Sequence, residues 1–277
     1  MKKTFVNIGK IATFFLCWGV AISIPLEFWE HPKFAGDNAA LLRLYWELAP
    51  MVMTILVTIV FAKIVERKDR IRIPVFGKVV YNTVFGIVLG ILWIGLVLLI
   101  AFKMDILHIE NRVEVSNLFT WILAIFFNTI MQELMARGYM FSLLRREYNL
   151  GIGICITTAV FTLMHGGAFE AGLLAVMNVV TTSILLSLVS VYTNGLWAPI
   201  LMHFIWNSVG RMFGIVSLAD DYPVMFETKI MGNNLISGGS VGIEGSIIVL
   251  IINCVFIVGL LIYKRFKRRK AFTLTNI

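Results

Sequence analysis

Six residues in the middle of this chain have types and spacings suited to hydrolysis. They are Gln132, Glu133 and Arg137 in "MQELMARGYM", His165 at the end of "FTLMH", and His203 and Asn207 in "HFIWN". Glu133 and Arg137 lie four residues apart, so on a helix they share a face and can pair. His203 and Asn207 have the same spacing. Gln132 lies about 100° around the helix from Glu133 and projects elsewhere. A carboxylate can take a proton from water, while imidazole and amide groups orient that water or hold an oxyanion. One carboxylate, two imidazoles and an amide, brought from three helices to one wet pocket, suffice for water activation.

Each feature also has a plainer explanation. Glu133 and Arg137 can be a structural ion pair between helices. His165 precedes Gly166 and Gly167 and can be an interfacial residue at a loop. Asn128, Asn178 and Asn253, the lesser polar members of the apolar segments, can be interhelical hydrogen-bonding groups. The conjunction of motifs is harder to explain that way than any one of them.

The elements that must position these groups are fixed by the solvent. The chain has 277 residues, 59% hydrophobic and 14% charged, with mean hydropathy +0.87. Soluble domains are nearer 45–50% apolar and about a quarter charged, so this is an integral membrane protein. The net charge of +8 does not indicate nucleic acid, because the basic residues form short blocks beside apolar runs: Lys2, Lys3 and Lys10; Arg67 to Lys78; Arg145 and Arg146; and "KRFKRRK" at 264–270. Cytoplasmic loops read this way.

Spans of about 20 apolar residues are expected at roughly 11–29, 44–64, 80–103, 116–141, 150–167, 171–192, 196–217 and 245–263. The basic blocks follow alternate spans. The expected fold is therefore all-α and polytopic, a single membrane domain over 1–277 with about eight transmembrane helices and both termini cytoplasmic. The first apolar run lacks a small-x-small cleavage site and is expected to be a retained anchor. The loop at about 218–244 reads as a flexible outer connection, with a lid as the alternative. Cys17, Cys155 and Cys254 form no CxxC or Cys/His cluster and are expected to be small core residues. A small transporter is disfavoured by the clustering of polar residues in three nearby spans.

The motifs resemble those of the CPBP family, the CAAX proteases and bacteriocin-processing enzymes also called Abi. Its signatures EExxxR, FxxxH and HxxxN correspond to "QELMARG" at 132–138, "FTLMH" at 161–165 and "HFIWN" at 203–207. The similarity covers 116–217 as the catalytic core, with a weaker likeness at "GIEG", 242–245. It implies an intramembrane endopeptidase acting on a membrane-associated or lipid-modified peptide. By position, Gln132 stands for the first Glu of the pair, Glu133 for the second and Arg137 for the arginine. The resemblance implies that His165 takes part in activating water, and that His203 and Asn207 complete the site and support the oxyanion.

The departure is at Gln132, because a neutral amide accepts no proton from water. Glu133 can be the surviving base, or the chain can be a pseudoprotease that binds a partner as an immunity or regulatory protein. The Gln can also be an introduced change. A metal-free glutamate mechanism is favoured; zinc on His165, His203 and Glu133 is the alternative, although HExxH is absent. The absence of organelle signals suggests a bacterial plasma membrane, with bacteriocins, pheromones or membrane proteins as substrates. One difficulty is depth. At 1.5 Å per residue His203 lies roughly 10 Å from the cytoplasmic start of its span, Glu133 roughly 18 Å from Arg145, and His165 roughly 20 Å from its own start.

Overall fold

The structure, a computed structural model, describes residues 2–28 and 32–274. Eleven α-helices are described: α1 (Lys2–Phe28), α2 (Ala39–Ile59), α3 (Val79–Lys103), α4 (Leu118–Arg137), α5 (Tyr139–Glu147), α6 (Leu150–Leu163), α7 (Gly166–Ala171), α8 (Leu173–Thr193), α9 (Trp197–Met212), α10 (Asn234–Ser237) and α11 (Ile247–Leu274). A π-helical stretch, Val60–Val65, continues α2. A helix is described within each of the apolar segments expected from sequence.

Five helical segments among the described residues are long and apolar enough to cross a bilayer: Lys3–Pro25, Ala39–Val65, Val79–Lys103, Leu118–Glu147 and Leu173–Thr193. Leu150–Leu163 and Ile247–Tyr263 are shorter apolar helices. The chain is a multi-pass membrane protein. Large apolar side chains such as Leu16, Val80, Ile91 and Val255 point outward, as a lipid solvent permits. Cys17, Cys155 and Cys254 are also exposed. That corrects the expectation of core cysteines: lipid removes the driving force for burying an apolar thiol.

The chain forms two compact units that interleave in sequence. The first comprises Met1–Pro74, Val115–Thr157 and Asp221–Pro223. Asn38 starts α2, its side-chain oxygen accepting the Leu41 N–H at 3.2 Å. An aromatic cluster of Phe14, Phe61 and Tyr139, with ring centroids 5.2–5.3 Å apart, joins α1, the π-helical stretch and α5. Beside it Glu66 is buried and accepts from Lys10 at 2.7 Å, from Arg146 at 3.0 Å and from the Tyr139 hydroxyl at 3.0 Å. Burial alone would raise its carboxyl, but these donors hold it below the ordinary value of 4.5. Helix α4 stops at Gly138, where the chain turns sharply enough that an added Cβ would lie 2.2 Å from the Leu134 carbonyl oxygen.

The second unit comprises Val75–Glu114, Thr158–Asp220 and Val224–Ile277. Gly86 and Gly90 on α3 face α9 at a four-residue spacing, the small-residue pattern that lets apolar helices approach closely. A Cβ on Gly86 would meet the Ala198 carbonyl oxygen at 2.6 Å. Trp93 of α3 stacks on Trp206 of α9 with centroids 4.0 Å apart, and its indole N–H donates to Asn253 on α11 at 2.8 Å.

The all-helical expectation needs one addition. Strands β1 (Leu107–Arg112) and β2 (Phe226–Ile230) pair antiparallel, with a bulge between Ile109 and Asn111. The segment expected as a flexible outer connection thus holds a strand, helix α10 and two 3₁₀ turns, Gly239–Val241 and Ile243–Gly245.

Candidate active site

The six candidate residues divide between the units. Gln132, Glu133 and Arg137 lie on α4 of the first; His165, His203 and Asn207 belong to the second. In the first unit the expected pair forms: Arg137 donates to a Glu133 carboxylate oxygen at 2.9 Å, and both side chains are fully buried. Desolvating two ions costs several kcal/mol each, and their mutual neutralisation offsets part of that cost.

Gln132, one position away, points toward a different set of partners. Its Nε2 donates to Asn128 Oδ1 at 2.6 Å, and Asn128 Nδ2 donates to Glu47 Oε2 at 2.8 Å. The other Glu47 oxygen accepts from the Tyr222 hydroxyl at 3.1 Å and from Arg43 at 3.4 Å. Arg43 in turn forms a two-bond pair with Asp221, its Nε donating at 2.8 Å. Burial, and then the charge of Glu47, push the Tyr222 phenol above its ordinary range. Sequence reading named Asn128 but missed Glu47, Arg43 and Tyr222. Glu47 lies inside the expected span 44–64, so the rule that intramembrane carboxylates mark function already applied to it.

In the second unit His165 follows the last turn of α6. Its Nδ1 lies 2.7 Å from the Phe161 carbonyl oxygen. A carbonyl only accepts, so Nδ1 carries the proton and, in the neutral ring, Nε2 holds the lone pair. Phe161 also brings the two imidazoles near each other: its ring centroid is 4.3 Å from that of His165 and 6.1 Å from that of His203. His203 and Asn207 are both buried on α9, one turn apart.

Helix α6 is short: fourteen residues rise about 21 Å, less than a hydrocarbon core of about 30 Å. His165 follows its end, and the short α7 begins at the next residue.

The lesser asparagines are interhelical hydrogen-bonding groups. Asn178 donates to the carbonyls of Glu244 and Ser246, each at 2.8 Å. Asn253 donates to Thr181 and Thr182 at 2.9 and 3.1 Å. Glu244, in the "GIEG" turn, accepts the Ser217 N–H at 2.7 Å, and its own N–H donates to the Ile215 carbonyl. Burial pushes its carboxyl up to about 8, against the opposing pull of the Ser217 N–H and Arg211. Among the described residues no three of His, Cys, Asp and Glu come together as a metal-ligating group.

Residues 114–209 match the family model described as type II CAAX prenyl endopeptidase Rce1-like. The matched segment runs from just before α4 into α9 and includes all six candidate residues. No curated protein and no solved structure matches the chain.

Proposed function

We propose, taking as premise that residues 114–209 are a domain of the Rce1-like type II CAAX prenyl endopeptidase family, that the protein is an intramembrane endopeptidase. Its substrate is a membrane-associated or lipid-modified peptide, and its setting a bacterial plasma membrane. The family match over all three motifs carries this proposal; the buried polar groups on α4 and α9 give it chemistry.

In the proposed reaction the oxygen of a water adds to the scissile carbonyl carbon. Glu133, the carboxylate on α4, takes the water proton and passes it to the leaving nitrogen as the C–N bond breaks. His165, with its Nδ1 tied to Phe161, uses Nε2 to orient the water. His203 and Asn207 donate to the carbonyl oxygen as it gains charge. Arg137 holds Glu133 ionised and in place. No step uses a metal ion.

The test is cleavage of a fluorogenic farnesylated CAAX peptide, and of an unprenylated apolar peptide, by protein in nanodiscs. H165A and H203A are each expected to abolish turnover with the fold intact by thermal melting. Unchanged cleavage by either variant sinks the assignment.

A second function has a specific observation in its favour. Gln132 accepts no proton, and Glu133 is engaged by Arg137 at 2.9 Å, an arrangement that suits a pseudoprotease acting as an immunity or regulatory binding protein. A silent wild type in which restoring a carboxylate at position 132 creates cleavage decides for that function.

A further inference from the structure

Three side chains of the first unit, buried Glu47 and half-buried Asn128 and Gln132, form a hydrogen-bond chain whose direction is set at one end. Carboxylate oxygens only accept. Glu47 receives Tyr222 and Arg43 on one oxygen and Asn128 on the other. Asn128 must therefore turn its NH2 toward Glu47, which leaves its Oδ1 facing Gln132. Gln132 must then turn its NH2 toward Asn128, as the 2.6 Å contact requires. Its Oε1 is left over, buried and without a hydrogen-bond partner among the described residues. The oxygen and nitrogen of an amide are nearly indistinguishable by shape, and only the surrounding network assigns them. Here one anion assigns two amides in series.

A buried acceptor without a donor costs roughly 1–3 kcal/mol, so this oxygen gains by accepting a hydrogen bond. We propose that Glu47 is a positioning residue that, through Asn128, sets the polarity of the Gln132 amide, so that Gln132 presents an acceptor oxygen that holds the attacking water. The assignment rests on the peptidase function proposed above. It gives the Gln at this position the half of a carboxylate's work that an amide can do: it accepts a hydrogen bond from water and leaves proton removal to another group. Nothing in the motif itself predicts this, because the controlling residue lies on α2, outside the matched segment.

The chain of donors makes an isosteric test possible. In E47Q the Arg43 and Tyr222 donors draw the new carbonyl oxygen to their side and turn the new NH2 toward Asn128. Asn128 then reverses, Gln132 reverses, and an N–H donor replaces the acceptor in the site. Q132E in the native background traps Asn128 between two carboxylates, both demanding its one NH2 group. In the double variant E47Q/Q132E the direction simply runs backward with every bond made.

Three measurements follow. First, thermal midpoints in nanodiscs are expected to show strong coupling: Q132E lowers the midpoint in the native background and is tolerated with E47Q. An equal effect in both backgrounds overturns the proposal. Second, Gln132 is the only glutamine of the chain, so cell-free synthesis with side-chain 13C-labelled glutamine gives a single isotope-edited carbonyl band. That band is expected to shift in E47L, which adds no second glutamine, and an unmoved band overturns the proposal. Should E47L fail to fold, N128L, which removes the link, is expected to shift the same band, with the same reading if it does not.

Third, on the farnesylated CAAX peptide E47Q is expected to lower kcat at least about tenfold with little change in KM, and E47Q/Q132E to recover most of it. An unchanged kcat overturns the role in catalysis. If no form of the protein cleaves the peptides, the peptidase function fails, and with it the role of the held water. The first two measurements still decide whether Glu47 sets the amide polarity.

Discussion

At the scale of single residues the informative groups are those whose burial leaves them no freedom. Glu133 and Arg137 are both buried and bonded to each other. Removing one ion of such a pair leaves the other uncompensated and costs about 3–5 kcal/mol, whereas replacing both can be nearly neutral. R137M is therefore expected to lower stability toward denaturing detergent by an amount of that order. E133Q/R137M is expected to recover most of the loss without recovering cleavage. Equal losses in the single and double variants would show that the two side chains are independent. This pair was legible in the sequence because an i,i+4 spacing of opposite charges inside an apolar run admits few arrangements. So was the His203–Asn207 face of α9. Glu47 was not found, although it too is a carboxylate within an apolar run. It too has an opposite charge four residues away, Arg43, but its partners Asn128 and Tyr222 lie 81 and 175 residues away, so only the folded chain joins them.

At the scale of elements, α9 carries two of the six candidate residues and is held against α3 by a close approach at Gly86 and Gly90. A larger side chain at Gly86 has backbone to displace, not a flexible chain end. G86L is expected to lower the thermal midpoint and to reduce kcat by moving His203 and Asn207; normal turnover in a folded G86L would show that the approach is not needed. The turn at Glu244 gives a pH signature. Its folded carboxyl, near 8, lies above the ordinary 4.5, so the folded chain binds a proton that the unfolded chain releases. That contribution to stability is full below about 4.5 and is lost as pH rises through about 8. Protection of the 213–246 segment from proteolysis is expected to fall over this window, and E244Q to flatten the profile; an unchanged profile in E244Q would show that another group titrates. The helices were visible in the sequence because spans need a fixed apolar length. The β1–β2 pair was not, although Phe226–Ile230 alternates between more and less exposed positions. Five residues of alternation in a long polar connection give no signal until the partner strand, over a hundred positions away, is known.

At the scale of the whole molecule, charge and helix length together constrain orientation. Arg145 and Arg146 precede α6, Asp220 and Asp221 follow α9, and α8 and α9 are joined by a turn of three residues, Asn194 to Leu196. If basic loops lie inside and the acidic connection outside, the segment from α6 to the start of α8 must carry the chain from one face to the other. Helix α6 is too short to do so alone, so α7 and its flanking residues must supply the remainder. His165 then lies inside the bilayer at the break between them and not at its surface, which is where a residue meant to act on water within the membrane has to be. The matching measurement uses single cysteines in a background with Cys17, Cys155 and Cys254 replaced by Ser, treated in intact cells with a membrane-impermeant maleimide. D220C, on an exposed loop, is expected to be labelled at once, and K68C, equally exposed, only after the membrane is permeabilised. As a control, A168C, on the buried face of α7, is expected to resist the reagent from both sides. Labelling of K68C in intact cells, or protection of D220C, would reverse the orientation and remove the reason for placing His165 within the membrane.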